Sequence, residues 1–163
     1  MQLTDTQKLY GLLRIAMGLI FLWAFIDKLW GLGFATPAEK SWIAGGSPTY
    51  GFLAMASKGP FANFYHTIAG APSTDWLFML GLLGLGLAFT LGIGMRIATV
   101  SGSLFVLLLY SAVLPPANNP ILDEHIIYLL VILLLGAVDA GQYWGLGKQW
   151  SETNLVKKIP LLR

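Results

Sequence analysis

"WLFMLGLLGLGLAFTLGIGMRIATVSGSLFVLLLYSAVL", residues 76–114, carries a single charged side chain, Arg96. A bilayer core of roughly 30 Å is crossed by about 20 helical residues. An unpaired backbone group in hydrocarbon costs several kcal/mol, so a crossing segment has to be helical. The stretch therefore reads as two membrane helices, Trp76–Gly94 and Ile97–Leu114, with only Met95 and Arg96 between them. So short a connection predicts a tight antiparallel hairpin, and Pro115-Pro116 stops its second arm.

Two further apolar runs flank this hairpin. "LYGLLRIAMGLIFLWAFI", Leu9–Ile26, is interrupted only by Arg14, and "IIYLLVILLLGAV" runs from Ile126 to Asp139. Asn119-Pro120 offers a cap and a first-turn proline for the last run, and Ser73 or Thr74 a cap for the second. The expected fold is all-α: one integral-membrane domain over 1–163, a four-transmembrane-helix bundle with spans at about 9–29, 75–94, 97–114 and 121–140. Residues 31–73 form an outer loop and 145–163 a tail.

Composition agrees. Charged residues make up 11% of the 163, against about 25% in a soluble domain. There is no cysteine, which removes disulfides, thiolate metal sites and cysteine nucleophiles. A net charge of +2 without a basic tract beyond Lys157-Lys158 argues against nucleic acid. The first run exceeds a signal peptide's apolar core, and no small-x-small site follows "FIDKLW", so it reads as retained.

Orientation follows from the placement of Lys and Arg. Lys8, Arg14, Arg96, Lys148, Lys157, Lys158 and Arg163 fall on the side of the termini, and Lys28, Lys40 and Lys58 on the other. This bias predicts that both termini are cytoplasmic. In the outer loop, "TPAEKSWIAGG" reads as a capping box with Thr36 as cap and Glu39 reaching back. "GPFANFYHTIAG" places Phe61, Phe64, Tyr65 and Ile68 at helical spacing. Short helices of this kind suit the membrane interface, either as a lid over the bundle or as an ordinary loop. Gly84, Ala88 and Gly92, with Gly81 a turn earlier, and Gly11 and Gly18 on the first helix, predict close helix packing. No strand precedes these glycines, so a phosphate loop does not fit them.

Charges at membrane depth are costly and direct attention to function. An inner cluster comprises Arg14, Arg96 and Asp139. Arg14 either snorkels, with Asp139 neutralising one arginine, or serves a ligand or proton. The outer ends are richer: Asp27, Lys28 and Trp30; Asp75 and Trp76; Asn118 and Asn119; then Asp123, Glu124 and His125. Acidic groups in a first helical turn are favoured by the dipole, by about 0.3–1 kcal/mol, which covers the carboxylates but not His125. His125, Tyr128, Ile132, Gly136 and Asp139 share one stripe of the last helix. Haem would need His66 together with His125, and two histidines without ligand spacing make a poor zinc site, so neither haem nor metal is expected. A quinone fits better. It needs an apolar slot, aromatic walls and a protonatable partner, which His125, Asp27, Lys28 and Glu124 supply as candidate catalytic groups. Trp30, Trp76, Tyr128 and Asp123 are candidate binding groups. The alternative for the tryptophans is an interfacial aromatic belt.

"LRIAMGLIFLWAFIDKLWGLGFATPAEKSWIAGGSPTYGFL", "GPFANFYHTIAG", "GIGMRIA" and "NNPILDEHIIYLL" together resemble the DoxX/DoxD family of four-helix bacterial and archaeal membrane proteins, from about Leu13 to Trp150. The resemblance implies a prokaryotic plasma-membrane subunit of a quinone-linked oxidoreductase. DoxD-type members form the membrane part of thiosulfate:quinone oxidoreductase beside a second subunit; DoxX-type relatives are linked to thiol-stress complexes. Besides the lipid bilayer, the partners it implies are a second redox subunit or an extracytoplasmic protein, and a homo-oligomer is a further candidate assembly. The alternative role is a non-enzymatic anchor or assembly subunit.

Overall fold

A computed structural model describes residues 3–163, and among these no strand forms. Helix α1 spans Asp5–Trp30, starting four residues before the apolar run. Its start is fixed by a capping box in which Thr4 Oγ1 accepts from Gln7 N and the Gln7 side chain accepts from Thr4 N. It ends where Gly31 enters the left-handed region (φ 67°), which costs glycine nothing.

The central hairpin forms, with corrected ends. Between α1 and the hairpin lie α2 (Tyr50–Met55) and α3 (Ala62–Ile68). Helix α4 runs Pro72–Leu91, with Pro72 as its preformed first residue after Ala71, so Ser73 and Thr74 lie inside the first turn and cap nothing. Helix α5 runs Met95–Ala112. The connection is Gly92-Ile93-Gly94 rather than Met95-Arg96, because both glycines adopt positive φ (74° and 59°).

Helix α6, Glu124–Ala137, is shorter than the expected 121–140. Asn119 Oδ1 accepts from the amides of Ile121 and Leu122, folding Pro120 into a turn, and Asp123 is the actual cap. At the other end Asp139 takes a left-handed conformation (φ 49°) and a 3-10 turn follows over Ala140–Gln142. Fourteen residues extend about 21 Å at about 1.5 Å each. Three helices, α1, α4 and α5, are long and apolar enough to cross a membrane, which makes this a membrane protein by length and composition.

Helix α1 lies along α4, α4 against α5, and α5 along α6. Their shared core comprises Met17 and Phe21, Met79 through Phe89 on one face of α4, Ala98 and Val106, and Ile132 and Leu135. Outside it, Leu77, Val100 and Leu130 stand exposed. Helices apolar on every side match a lipid surround. Glycines allow the close approaches, although not all those expected. A Cβ on Gly18 would meet Thr90 N at 2.4 Å, and one on Gly86 would meet Leu22 N at 2.9 Å. Gly81 lies beneath Phe105, whereas Gly84 faces open space. The contact with α1 is therefore made by Gly86, because 3.6 residues per turn rotate Gly84 away from it.

The segment between α1 and α4 also contains 3-10 turns at Ala38–Lys40, Trp42–Ala44 and Gly59–Phe61. Thr36 is buried but makes no capping bond, and Glu39 is exposed, so the expected capping box does not form. Pro37 imposes an extended entry, and three residues of 3-10 turn leave no third amide to cap. Tyr65 is the one buried ring of the expected aromatic face. Its hydroxyl donates to Leu108 O at 3.0 Å, and Lys58 N donates to Ala112 O at 2.9 Å. Both bonds pin this segment to the end of α5. Phe61 and Phe64 stay exposed.

Candidate functional site

The polar groups at the outer helix ends divide into three sets, each organised by its own piece of chain. Asp27, in the last turn of α1, is 1% exposed. Its Oδ1 accepts from Phe34 N at 3.3 Å and its Oδ2 from Ala35 N at 3.0 Å. That carboxylate closes the chain reversal after Gly31. Lys28 beside it is part-buried, with Nζ 5.9 Å from the Phe78 ring centroid, a cation–π distance. No carboxylate lies within ion-pair distance of it among the described residues. Trp30 is exposed, while Trp23 sets its ring edge-on to Phe34.

The second set surrounds Asp75 in the first turn of α4, which is 6% exposed. Its Oδ1 accepts from Ser47 Oγ at 2.8 Å, from Thr49 N at 3.2 Å and from Thr49 Oγ1. "SPT", residues 47–49, is thus the partner of a carboxylate 26 to 28 residues later. Trp76 stacks edge-on against Trp42, centroids 4.6 Å apart. The two rings, with Gly45, Gly46, Ser47, Gly70, Pro72 and Asp75, line a cleft of about 280 Å³. The candidate list drawn from sequence included Trp76 but missed Trp42's contact with it, and Asp75's serine and threonine partners.

The third set is the 123–125 stretch. Asp123 Oδ1 accepts from His125 N at 3.0 Å and from Ile126 N at 3.4 Å, the geometry of a helix cap. Its Oδ2 lies 2.9 Å from His125 Nδ1. One carboxylate therefore both starts α6 and fixes the imidazole. Both side chains keep slight exposure, His125 at 14% and Asp123 at 10%. Glu124 is exposed, and one ligand atom from each of the three residues lies within 4.8 Å of the others. These three could share a divalent cation, although Asp123 already uses Oδ1 for the cap and Oδ2 for the imidazole. Tyr128, one turn on, is part-buried and packs against the main core.

At the inner end the expected cluster does not assemble. Arg14 is fully buried and pairs with no carboxylate, so it neither snorkels nor is neutralised by Asp139. Its guanidinium donates to Ala140 O (3.2 Å), Phe89 O, Thr90 O (2.9 Å), Tyr143 O (3.1 Å) and Trp144 O (3.0 Å). These are carbonyls at the C-terminal end of α4 and in the chain after α6, where the helix dipole favours a cation. Asp139 instead meets Arg163 at 3.3 Å. Arg96 donates to the backbone, through N to Arg163 O and through Nη1 to Pro160 O. Arg14 and Arg96 hold backbone, because the bends after α4 and α6 turn carbonyls toward them, while the one acidic side chain there, Asp139, is taken by Arg163.

Comparison with family models, with curated proteins and with solved structures returned no match.

Proposed function

We propose that this chain is a multi-pass membrane subunit of a quinone-linked oxidoreductase, of the kind its sequence resembles, with His125 as the proton-exchanging group. The observation that carries this reading is the bond between Asp123 Oδ2 and His125 Nδ1 at the head of an apolar helix. With Nδ1–H donating to the carboxylate, Nε2 is left as the free acceptor. Ile121, Leu122 and Ile127, which flank the pair in sequence, are exposed and give an apolar approach from lipid. Bound there, a quinone would supply the two-electron, two-proton chemistry. Asp123 orients the imidazole; His125 gives or takes one proton at Nε2. Lys28, without a carboxylate partner, would attract an anionic donor such as thiosulfate. Glu124 and Tyr128, on the same helix, remain candidates around this site, while Asp27 and Trp30 belong to the α1 set; α6 with its flanking turns completes a fourth crossing. The 31–73 segment is the lid, and both termini are cytoplasmic in a prokaryotic plasma membrane.

The test is mass spectrometry of lipid-soluble molecules co-purifying in mild detergent, wild type beside His125→Ala. Quinone kept by the wild type and lost by the variant supports the assignment; quinone kept equally by both sinks it. Quinone in neither supports the second reading, a non-enzymatic anchor for a redox or thiol-stress complex. That reading is favoured by one specific observation: Asp27 and Asp75 both serve as clamps for their own loops, leaving few outer groups for chemistry. A stoichiometric protein partner without quinone would establish it.

A further inference from the structure

The cleft between Trp42 and Trp76 shares no residue with the His125 pair, and its floor has an unequal hydrogen-bond account. Asp75 is a carboxylate nine-tenths buried, and the three bonds it accepts all fall on Oδ1. Among the described residues Oδ2 accepts none, and no Lys, Arg or His lies within ion-pair distance of it. Thr90 Oγ1 and Ser103 Oγ are the fully buried side-chain oxygens without a partner among the described residues, so Oδ2 of Asp75 keeps contact with solvent and is open to a counter-ion. Asp75 lines the cleft, so its free oxygen is available to an occupant. Two indole rings set nearly at right angles (73°) line the same cleft. Tryptophan offers the strongest aromatic face to a cation. A carboxylate and two indoles lining one cleft are the chemical groups that hold an alkylammonium. The volume, about 280 Å³, lies just under the range of about 300–1,000 Å³ for drug-sized ligands, which suits a small headgroup rather than a ring with a tail.

We propose that this cleft binds a primary or quaternary ammonium group, with Oδ2 of Asp75 as counter-ion and Trp42 and Trp76 as its aromatic walls. The same chemistry is presented by a free amine such as choline or ethanolamine and by the headgroup of a zwitterionic lipid. Protein in an uncharged maltoside detergent would be titrated with choline, with ethanolamine and with 3,3-dimethylbutanol, the neutral isostere of choline, following tryptophan fluorescence. Zwitterionic lipid retained through purification would be quantified in parallel. Asp75→Asn keeps an acceptor for Ser47 and Thr49 while removing the charge.

The expected result is saturable binding of an amine, or lipid retention, that falls at least about tenfold in Asp75→Asn with thermal unfolding unchanged. Free-amine binding assigns a soluble ligand; lipid retention alone assigns the headgroup. Equal response to 3,3-dimethylbutanol, undiminished binding by Asp75→Asn, or no binding of either source overturns the proposal. If Asp75→Asn does not fold, Trp76→Ala decides the matter, because Trp76 is mostly exposed and its loss leaves the Asp75 clamp intact. Full affinity in Trp76→Ala would overturn the proposal as well.

Discussion

Arg14 shows how one side chain can organise a helix bundle without an ionic partner. Five N–H donors in a fixed fork meet five carbonyls from two distant parts of the chain. Arg14→Met would take a donor from all five carbonyls, of which Ala140 O keeps a second in Tyr143 N, and is expected to cost at least about 3 kcal/mol, read as a large fall in melting temperature in detergent. Arg14→Lys keeps the charge but not the fork and should recover only part of that loss. Asp27→Ala acts more locally: it frees the amides of Phe34 and Ala35 and should cost about 1–3 kcal/mol. Hydrogen exchange should rise at residues 31–36 while the helices stay protected. Each of these side chains was conspicuous in the sequence as an ion near a helix end, but its partner was not. The acceptors and donors they use are backbone groups 7 to 130 residues away, and backbone groups carry no residue-type signal. His125 is the exception, because its partner is two residues away and caps the same helix.

At the scale of elements, apolar runs located the long helices because no other backbone arrangement satisfies itself in lipid. Their ends depended on local competition. Pro72 starts α4 before any hydroxyl residue can cap it, and Asn119 spends its carbonyl on a turn, leaving Asp123 to begin α6. Small residues were legible as packing positions only up to a rotation about the axis. Gly18→Ala should push α1 off Thr90 and lower the melting temperature, because the new Cβ would meet backbone at 2.4 Å. Gly84→Ala faces open space and should be neutral or stabilising by about 0.4–1 kcal/mol. Opposite signs from two glycines of one bundle would confirm which face of α4 meets α1. Equal losses would place α1 elsewhere.

For the whole molecule, absence of cysteine is an experimental convenience. Single cysteines placed at Lys40 and at Lys157 should label from opposite sides of intact cells. Lys40 should react with an impermeant maleimide added outside, and Lys157 only after permeabilisation. A further cysteine at Ile121 tests the short fourth helix: labelling on the Lys40 side shows that α6 crosses, and labelling on the Lys157 side shows that it does not.

The carbonyl cradle around Arg14 has a consequence for biogenesis. In the membrane reading, α1 leaves the ribosome before α4 and α6 and carries into the bilayer a guanidinium whose acceptors are not yet made. Two lie at Phe89 and Thr90, and the other three at Ala140, Tyr143 and Trp144. An arginine buried in an inserting helix is costly, and this debt is cleared in full only when residue 144 has emerged. A nascent chain arrested near residue 138 therefore displays a cation with only the Phe89 and Thr90 carbonyls to receive it, the mark by which an incomplete copy differs from a finished one.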